Sequence, residues 1–262
     1  MNFNIKDETK KFSAIIRGMD RKVIIVFLSV AVIQTISWYF TSRTFFRHNL
    51  FNYFSASQNV DLYSYLYWFI GDFFTLFILP AVIILLFLRR KPKNFGLQFG
   101  DYKAGLKISF YFLIIMLVII WFVSPSSSFQ ATYPLLQRTK ESWGLFFIFE
   151  AGLLIYIFAW EFIWRGFMLF GLEEKFGYYA VLIQMIPFVF LHNGKPFPEV
   201  IGAIFGGIAL GILALRTRSF LYCVIVHIGV MFTIDLFSVL RFRTSDFGVG
   251  INSFISVFKE LF

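Results

Sequence analysis

A single cysteine, Cys223, occurs in 262 residues, which excludes an intrachain disulfide and any multi-cysteine zinc site. Charge is scarce too, at 15% of residues, where a soluble domain carries about a quarter. There are three histidines, no internal repeat and no low-complexity tract. No small-residue cleavage site follows the first apolar run, and the segment before it is charged (Lys6, Lys10, Lys11, Arg17, Arg21, Lys22). That run is therefore expected to be an uncleaved span. What fills the chain instead is apolar surface: 58% hydrophobic residues, 22% aromatic, and 39 phenylalanines. Lipid is the solvent that suits it, and spans of about 20 apolar residues cross a bilayer core. The formal charge of +9 does not indicate nucleic acid, because Lys and Arg lie almost entirely between apolar runs, where the positive-inside rule puts them.

Seven apolar runs, roughly 23–41, 67–88, 105–123, 143–172, 178–192, 199–215 and 220–240, predict an all-α polytopic transmembrane bundle of about seven helices. The expected organisation is an N-terminal cytoplasmic segment (1–22), N-terminal membrane helices and loops (23–142), a core (143–240) and an amphipathic C-terminal segment (241–262). The fourth run is longer than a bilayer needs and the fifth, holding Pro187, is short. Residues 48–66 and 250–262 are expected to hold interfacial helices. With the N-terminus inside, fifteen basic residues fall on the inner side against eight outside, which predicts a cytoplasmic N-terminus. The pairs Gly202–Gly206 and Gly207–Gly211 suit close helix packing.

Ionisable residues inside apolar runs are costly and mark cavities or partners. They are Asp72, Glu150, Glu161, Arg165, His192, His227 and Asp235. Asp72 and Glu150 stand near the outer ends of their runs and are expected to snorkel to the interface. Glu161 and Arg165 are four apart on one helical face, acid first, as an ion pair requires. At about 1.5 Å per residue, Glu161 lies ~15 Å from Gly171, His227 ~14 Å from Arg218 and His192 ~22 Å from Gly177. Three helices thus bring a carboxylate and two imidazoles to similar depth. Such a set can ligate a divalent metal such as zinc through His192, His227 and Glu161, or act on water directly. Both readings imply hydrolysis inside the membrane.

These residues resemble the CPBP family, the CAAX proteases and bacteriocin-processing enzymes also called Abi proteins. That pattern runs Glu-Glu-x-x-x-Arg, Phe-x-x-x-His, His-x-x-x-Asn or Asp. Glu161-x-x-x-Arg165 matches the second Glu and the Arg, Phe188-x-x-x-His192 matches fully, and His227 matches the last histidine, over about residues 140–240. Two positions depart: Trp160 stands where the first Glu belongs and Met231 where the Asn or Asp belongs. Asp235, eight after His227, and Glu199, seven after His192, are candidates to compensate.

The resemblance implies an intramembrane endopeptidase acting on membrane-associated or lipidated peptides in a bacterial inner membrane. Glu161 would activate water, Arg165 would orient it, and His192 and His227 would bind metal or stabilise the oxyanion. The alternative is a non-catalytic relative, a membrane scaffold, chaperone or bacteriocin self-immunity protein. A transporter is a third class, against which no inverted repeat is visible.

Overall fold

The computed structural model describes residues 4–260, and within them all regular structure is helical. Helix α1 (Ile5–Gly18) is followed by α2 (Arg21–Asn49), α3 (Val60–Leu86), α4 (Tyr102–Val123), α5 (Trp143–Phe176), α6 (Tyr179–Phe190), α7 (Phe197–Thr217), α8 (Leu221–Thr244) and α9 (Ile251–Lys259). Six of these, α2 to α5 with α7 and α8, are long and apolar enough to cross a membrane, and α6 is a shorter apolar helix. The expected bundle is the one found. Side-chain caps start several spans: Asp20 accepts from the Val23 N–H, Asp101 from Ala104 and Ser142 from Leu145.

Helix α5 is the axis of the bundle. It runs 34 residues and packs against α2, α3, α6 and α8. Its middle is sheathed on all sides, with Phe162, Ile163, Trp164, Arg165 and Phe167 fully buried. A helix buried all round has to be apolar all round, which is why this run reads as nearly unbroken hydrophobic sequence. Three spans contain π-helical stretches: Ser37–Thr41 in α2, Phe74–Ile78 in α3 and Phe162–Met168 in α5. Helix α2 is further interrupted at Ser42, whose extended backbone caps its last turns.

Three sequence expectations need correction. Asp72 does not snorkel: it is buried, accepting from Ser37 Oγ (2.7 Å), Thr41 Oγ1 and Trp68 Nε1 (2.8 Å). Two hydroxyls of α2 are thereby pinned to a carboxyl of α3, a strong tie where no water competes. Glu150 does not snorkel either, because its carboxyl faces Asp235 of α8, with Oε1 sealed from solvent. No single helix covers 48–66, where one was expected at the interface: α2 ends at Asn49, a short turn spans Phe51–Phe54 and α3 starts at Val60.

The glycine pairs divide. A Cβ on Gly207 would meet Met185 at 2.8 Å and one on Gly211 would meet Val181 at 2.9 Å, so this pair seats α7 against α6. Gly202 and Gly206 have nothing near them. Gln184 completes the seam, donating to Val181 O and Gly207 O, each at 2.9 Å. At the opposite end of α8 a buried arginine, Arg241, donates to Trp121 O, Ser124 Oγ, Asp246 O and Gly248 O. It locks the end of α4 to the loop leading into α9. That helix buries Val257 and packs Phe258 against Phe237 and Trp121.

With helices this apolar, the loops 87–101 and 124–142 lie at opposite ends of α4. Cysteines placed at Lys93 and at Arg138 are expected to label from opposite sides of a sealed vesicle, and labelling from one side would overturn the arrangement. Cys223 is fully buried and should stay silent in both.

Candidate active site

The site forms where α5, α6 and α8 meet. Glu161 is the last residue before the π-helical turns of α5, and its side chain is completely buried. Its Oε1 accepts from Arg165 Nη1 at 3.1 Å, one turn along the same helix. The same oxygen meets His227 Nδ1 at 2.6 Å, from α8. Oε2 has no partner. A lone carboxylate in this setting would cost several kcal/mol to desolvate, so the two donors are what make an ionised Glu161 tenable.

The tautomers follow from the partners. Oε1 already accepts from a guanidinium, so it acts as an acceptor, and Nδ1 is the protonated nitrogen of His227. Nε2 then carries the lone pair. For His192 the partner is Phe188 O, at 2.7 Å from Nδ1. A carbonyl can only accept, so Nδ1–H donates and Nε2 again carries the lone pair. The Phe188 carbonyl is available because α6 ends in a tighter turn: the His192 N–H bonds Val189 O, one residue on. Helix ends leave such orphan carbonyls, and here a side chain takes one.

Phe188 is the residue whose role sequence reasoning missed. Its ring lies under the Arg165 guanidinium, 3.9 Å from Cζ to centroid, in cation–π contact. The same ring has His192 at 4.5 Å and His227 at 6.4 Å between centroids, so it is the wall both imidazoles flank. The Phe-x-x-x-His spacing was the available signal, since residue four places the imidazole over the carbonyl. The π-helical stretch after Glu161 had no sequence signal at all. Such irregular turns often accompany functional sites.

Trp160 is buried and packs against Tyr156, Trp164, Phe188 and the edge of His192, at 6.2 Å from the last. It closes the site on one side with an apolar wall. Met231 is partly buried and packs against apolar clusters drawn from α3, α4, α5 and α8. The candidates Asp235 and Glu199 join neither Glu161 nor the histidines by any hydrogen bond or ion pair among the described residues. Asp235 is buried opposite Glu150, and Glu199 receives the Tyr133 hydroxyl. They form a second polar group, nearer the end of α8 that carries Arg241, together with Lys195, whose Nζ lies over the Tyr133 ring.

A divalent metal does not fit the donors as they stand. Among the described residues no group of three or more His, Cys, Asp or Glu is placed to hold one. His192 and His227 each offer one nitrogen, and Glu161, whose Oε1 is taken by His227 and Arg165, is not placed with them as a three-ligand group. Catalytic zinc takes three protein ligands. Neutral imidazoles with lone pairs at Nε2 are acceptors, and they stabilise an oxyanion only when protonated.

Residues 142–233 match the family model described as Type II CAAX prenyl endopeptidase Rce1-like. The match runs from the start of α5 to the middle of α8 and so includes Glu161, Arg165, His192 and His227. It bears out the CAAX-protease resemblance read from the motifs. No curated protein and no solved structure matches the chain.

Removing Arg165 leaves Glu161 buried with only His227 to balance it. Arg165→Ala is expected to destabilise the detergent-solubilised protein by about 3 kcal/mol or more, the usual scale for stranding one partner of a buried pair. Equilibrium unfolding beside the native chain measures this. A loss of under ~1 kcal/mol would mean that the pair is not what keeps Glu161 ionised.

Proposed function

With a CAAX-endopeptidase family core over residues 142–233 as its premise, we propose that the protein is an intramembrane endopeptidase in which Glu161 and His227 work on water as one unit. The observation that carries this is the 2.6 Å contact between Glu161 Oε1 and His227 Nδ1. Glu161 is sealed at 0% exposure while the His227 side chain keeps 14%, so the imidazole is the member of the pair that reaches open space.

In the proposed reaction, water lies between the Nε2 atoms of His227 and His192 and donates a hydrogen bond to each. His227 takes one proton as the water oxygen bonds to the peptide carbonyl carbon. The Glu161 carboxylate steadies the resulting imidazolium, and Arg165 keeps that carboxylate ionised and in place. The proton then passes from His227 to the amide nitrogen as the C–N bond breaks, leaving a free amine and a carboxylic acid, whose remaining proton passes to His192 Nε2 to give the carboxylate. No metal enters any step. The substrate class is a peptide presented from the bilayer, with a lipidated C-terminus as the family's activity suggests. The setting is a bacterial inner membrane, with the N-terminus on the cytoplasmic side as the basic residues favour.

A second reading has one specific observation in its favour. Trp160 occupies the position of the first family Glu with an apolar ring beside His192. A non-catalytic relative, holding Glu161, Arg165 and His227 purely to bind helices together, would look the same at that position.

Proteoliposomes carrying the native chain and a pool of lipidated and unlipidated membrane peptides separate the two. The native chain is expected to cleave, and Glu161→Gln to lower the rate by about 10² or more, the scale of losing a general base or its support. His227→Gln should be at least as damaging, with folding checked by thermal unfolding of each variant. No cleavage by the native chain on any peptide, with all variants folded, would support the scaffold instead.

A further inference from the structure

At the end of the bundle that carries α1, away from the candidate active site, a cavity of about 560 Å³ opens between the ends of α2, α3, α5 and α7. Its charged lining is four cations, Lys22, Arg90, Lys93 and Arg218, and two carboxylates, Glu173 and Glu174. Both acids are already engaged: Lys22 Nζ meets Glu174 at 3.1 Å and Arg218 Nη1 meets Glu173 at 2.6 Å. Arg90 and Lys93 make no side-chain hydrogen bond or ion pair within the described residues. A neighbouring cavity of about 340 Å³ shares Lys22 and Arg90 and adds Arg21 and Arg89, with no acid in its lining. Its remaining wall is Ile25, Phe87 and Leu88, and Phe87 is 61% exposed.

The position of these cavities sets their surroundings. Arg21 begins α2, Arg89 and Arg90 follow the end of α3, Glu173 and Glu174 lie in the last turns of α5, and Arg218 follows α7. The cavities therefore sit where the apolar spans end, at the level of lipid headgroups. Helix α1 adjoins them and supports that level. Ile5, Phe12, Ile15 and Ile16 gather on one of its faces, all exposed, while Lys6, Lys10 and Arg17 lie on another. Such a helix rests in the membrane interface.

The floor is built rather than incidental. Phe95 is buried and Arg218 Cζ stacks 4.8 Å over the Phe170 ring. The loop carrying Lys93 is clamped to the end of α7, with Gln98 donating to Arg218 O and the Asp101 N–H to Thr217 O. Gly100, at φ +53°, makes this approach, since a Cβ there would stand 1.9 Å from Thr217 O. Two exposed cations without a side-chain partner among the described residues are thus held at the rim of a defined cavity.

We propose that these two adjoining cavities bind an anionic phospholipid, its phosphate headgroup in the larger one with Arg90 and Lys93 as principal cations, and its first acyl carbons against the Ile25–Phe87–Leu88 wall of the smaller one. Phosphate is the shared chemistry, and a soluble phosphate would meet the same cations. The apolar wall and the headgroup level favour the lipid. Basic pockets between membrane helices bind acidic headgroups in this manner.

The test uses the full-length chain in a neutral detergent, titrated with dihexanoyl phosphatidylglycerol, dihexanoyl phosphatidylcholine or inorganic phosphate, with binding followed by native mass spectrometry and thermal shift. Phosphatidylglycerol is expected to bind and to raise the melting temperature. The double variant Arg90→Gln, Lys93→Gln should bind it at least tenfold more weakly while melting like the native chain without lipid. Arg47→Gln, on the opposite end, should bind it as the native chain does. Equal binding of phosphatidylcholine, or unchanged phosphatidylglycerol binding in the double variant, would overturn the proposal. Inorganic phosphate binding as tightly and with the same dependence on Arg90 and Lys93 would overturn its lipid source.

Discussion

A carboxylate with no water around it has to be balanced by something, and in this protein that requirement organises the core. Glu161 is completely buried in the middle of α5, and Arg165 from the same helix and His227 from α8 converge on one of its oxygens. The contact fixes the relative depth of α5 and α8. Phe188 then places α6 against the pair, because its ring supports the Arg165 guanidinium while its carbonyl holds His192. Loss of the carboxylate's partners would cost more than any single apolar contact nearby, since burying unpaired charge is the larger penalty. The residues proposed to do chemistry are therefore also the ones that bind three helices together.

The same economy recurs away from the site. Apolar side chains give helices in lipid little reason to choose one neighbour over another, so association relies on packing and on polar contacts. Asp72 with Ser37 and Thr41 selects the α2–α3 pairing, Gln184 with Gly207 O selects α6–α7, and Arg241 with Trp121 O and Gly248 O closes the far end. Glu150 and Asp235 form a second polar rung on the α5–α8 seam, several turns from the first. Each is a group that hydropathy alone would place in an unfavourable position.

Much of this was legible in the sequence. Long apolar runs can only be helices in a membrane, so six spans and the shorter helix around Pro187 followed directly, with errors confined to ends such as Val60. Glu161, Arg165 and His227 stood out because charge in an apolar run demands a partner, and the four-residue spacing named one of them. What the sequence could not supply was which helix a polar group would meet. Position along the run sends Asp72 and Glu150 to the interface, because the groups they meet, Ser37 and Thr41 for one and Asp235 for the other, lie on other helices with no spacing to reveal them. The role of Phe188 depends on its backbone carbonyl and on ring stacking, for which the Phe-x-x-x-His spacing is the one trace in the sequence. Depth along the helices brings Glu161, His192 and His227 together but does not reveal that one Glu161 oxygen is shared by Arg165 and His227.

In the proposed reaction Glu161 and His227 act as one hydrogen-bonded unit. Nitrogen-15 NMR of histidine-labelled protein tests it most directly, because only His48, His192 and His227 contribute signals and single substitutions assign them. His227 is predicted to carry its proton on Nδ1 in a strong hydrogen bond, and Glu161→Gln should shift that resonance markedly while leaving His48 in place. A His227 spectrum indifferent to Glu161→Gln, or one with the proton on Nε2 alone, would contradict the account.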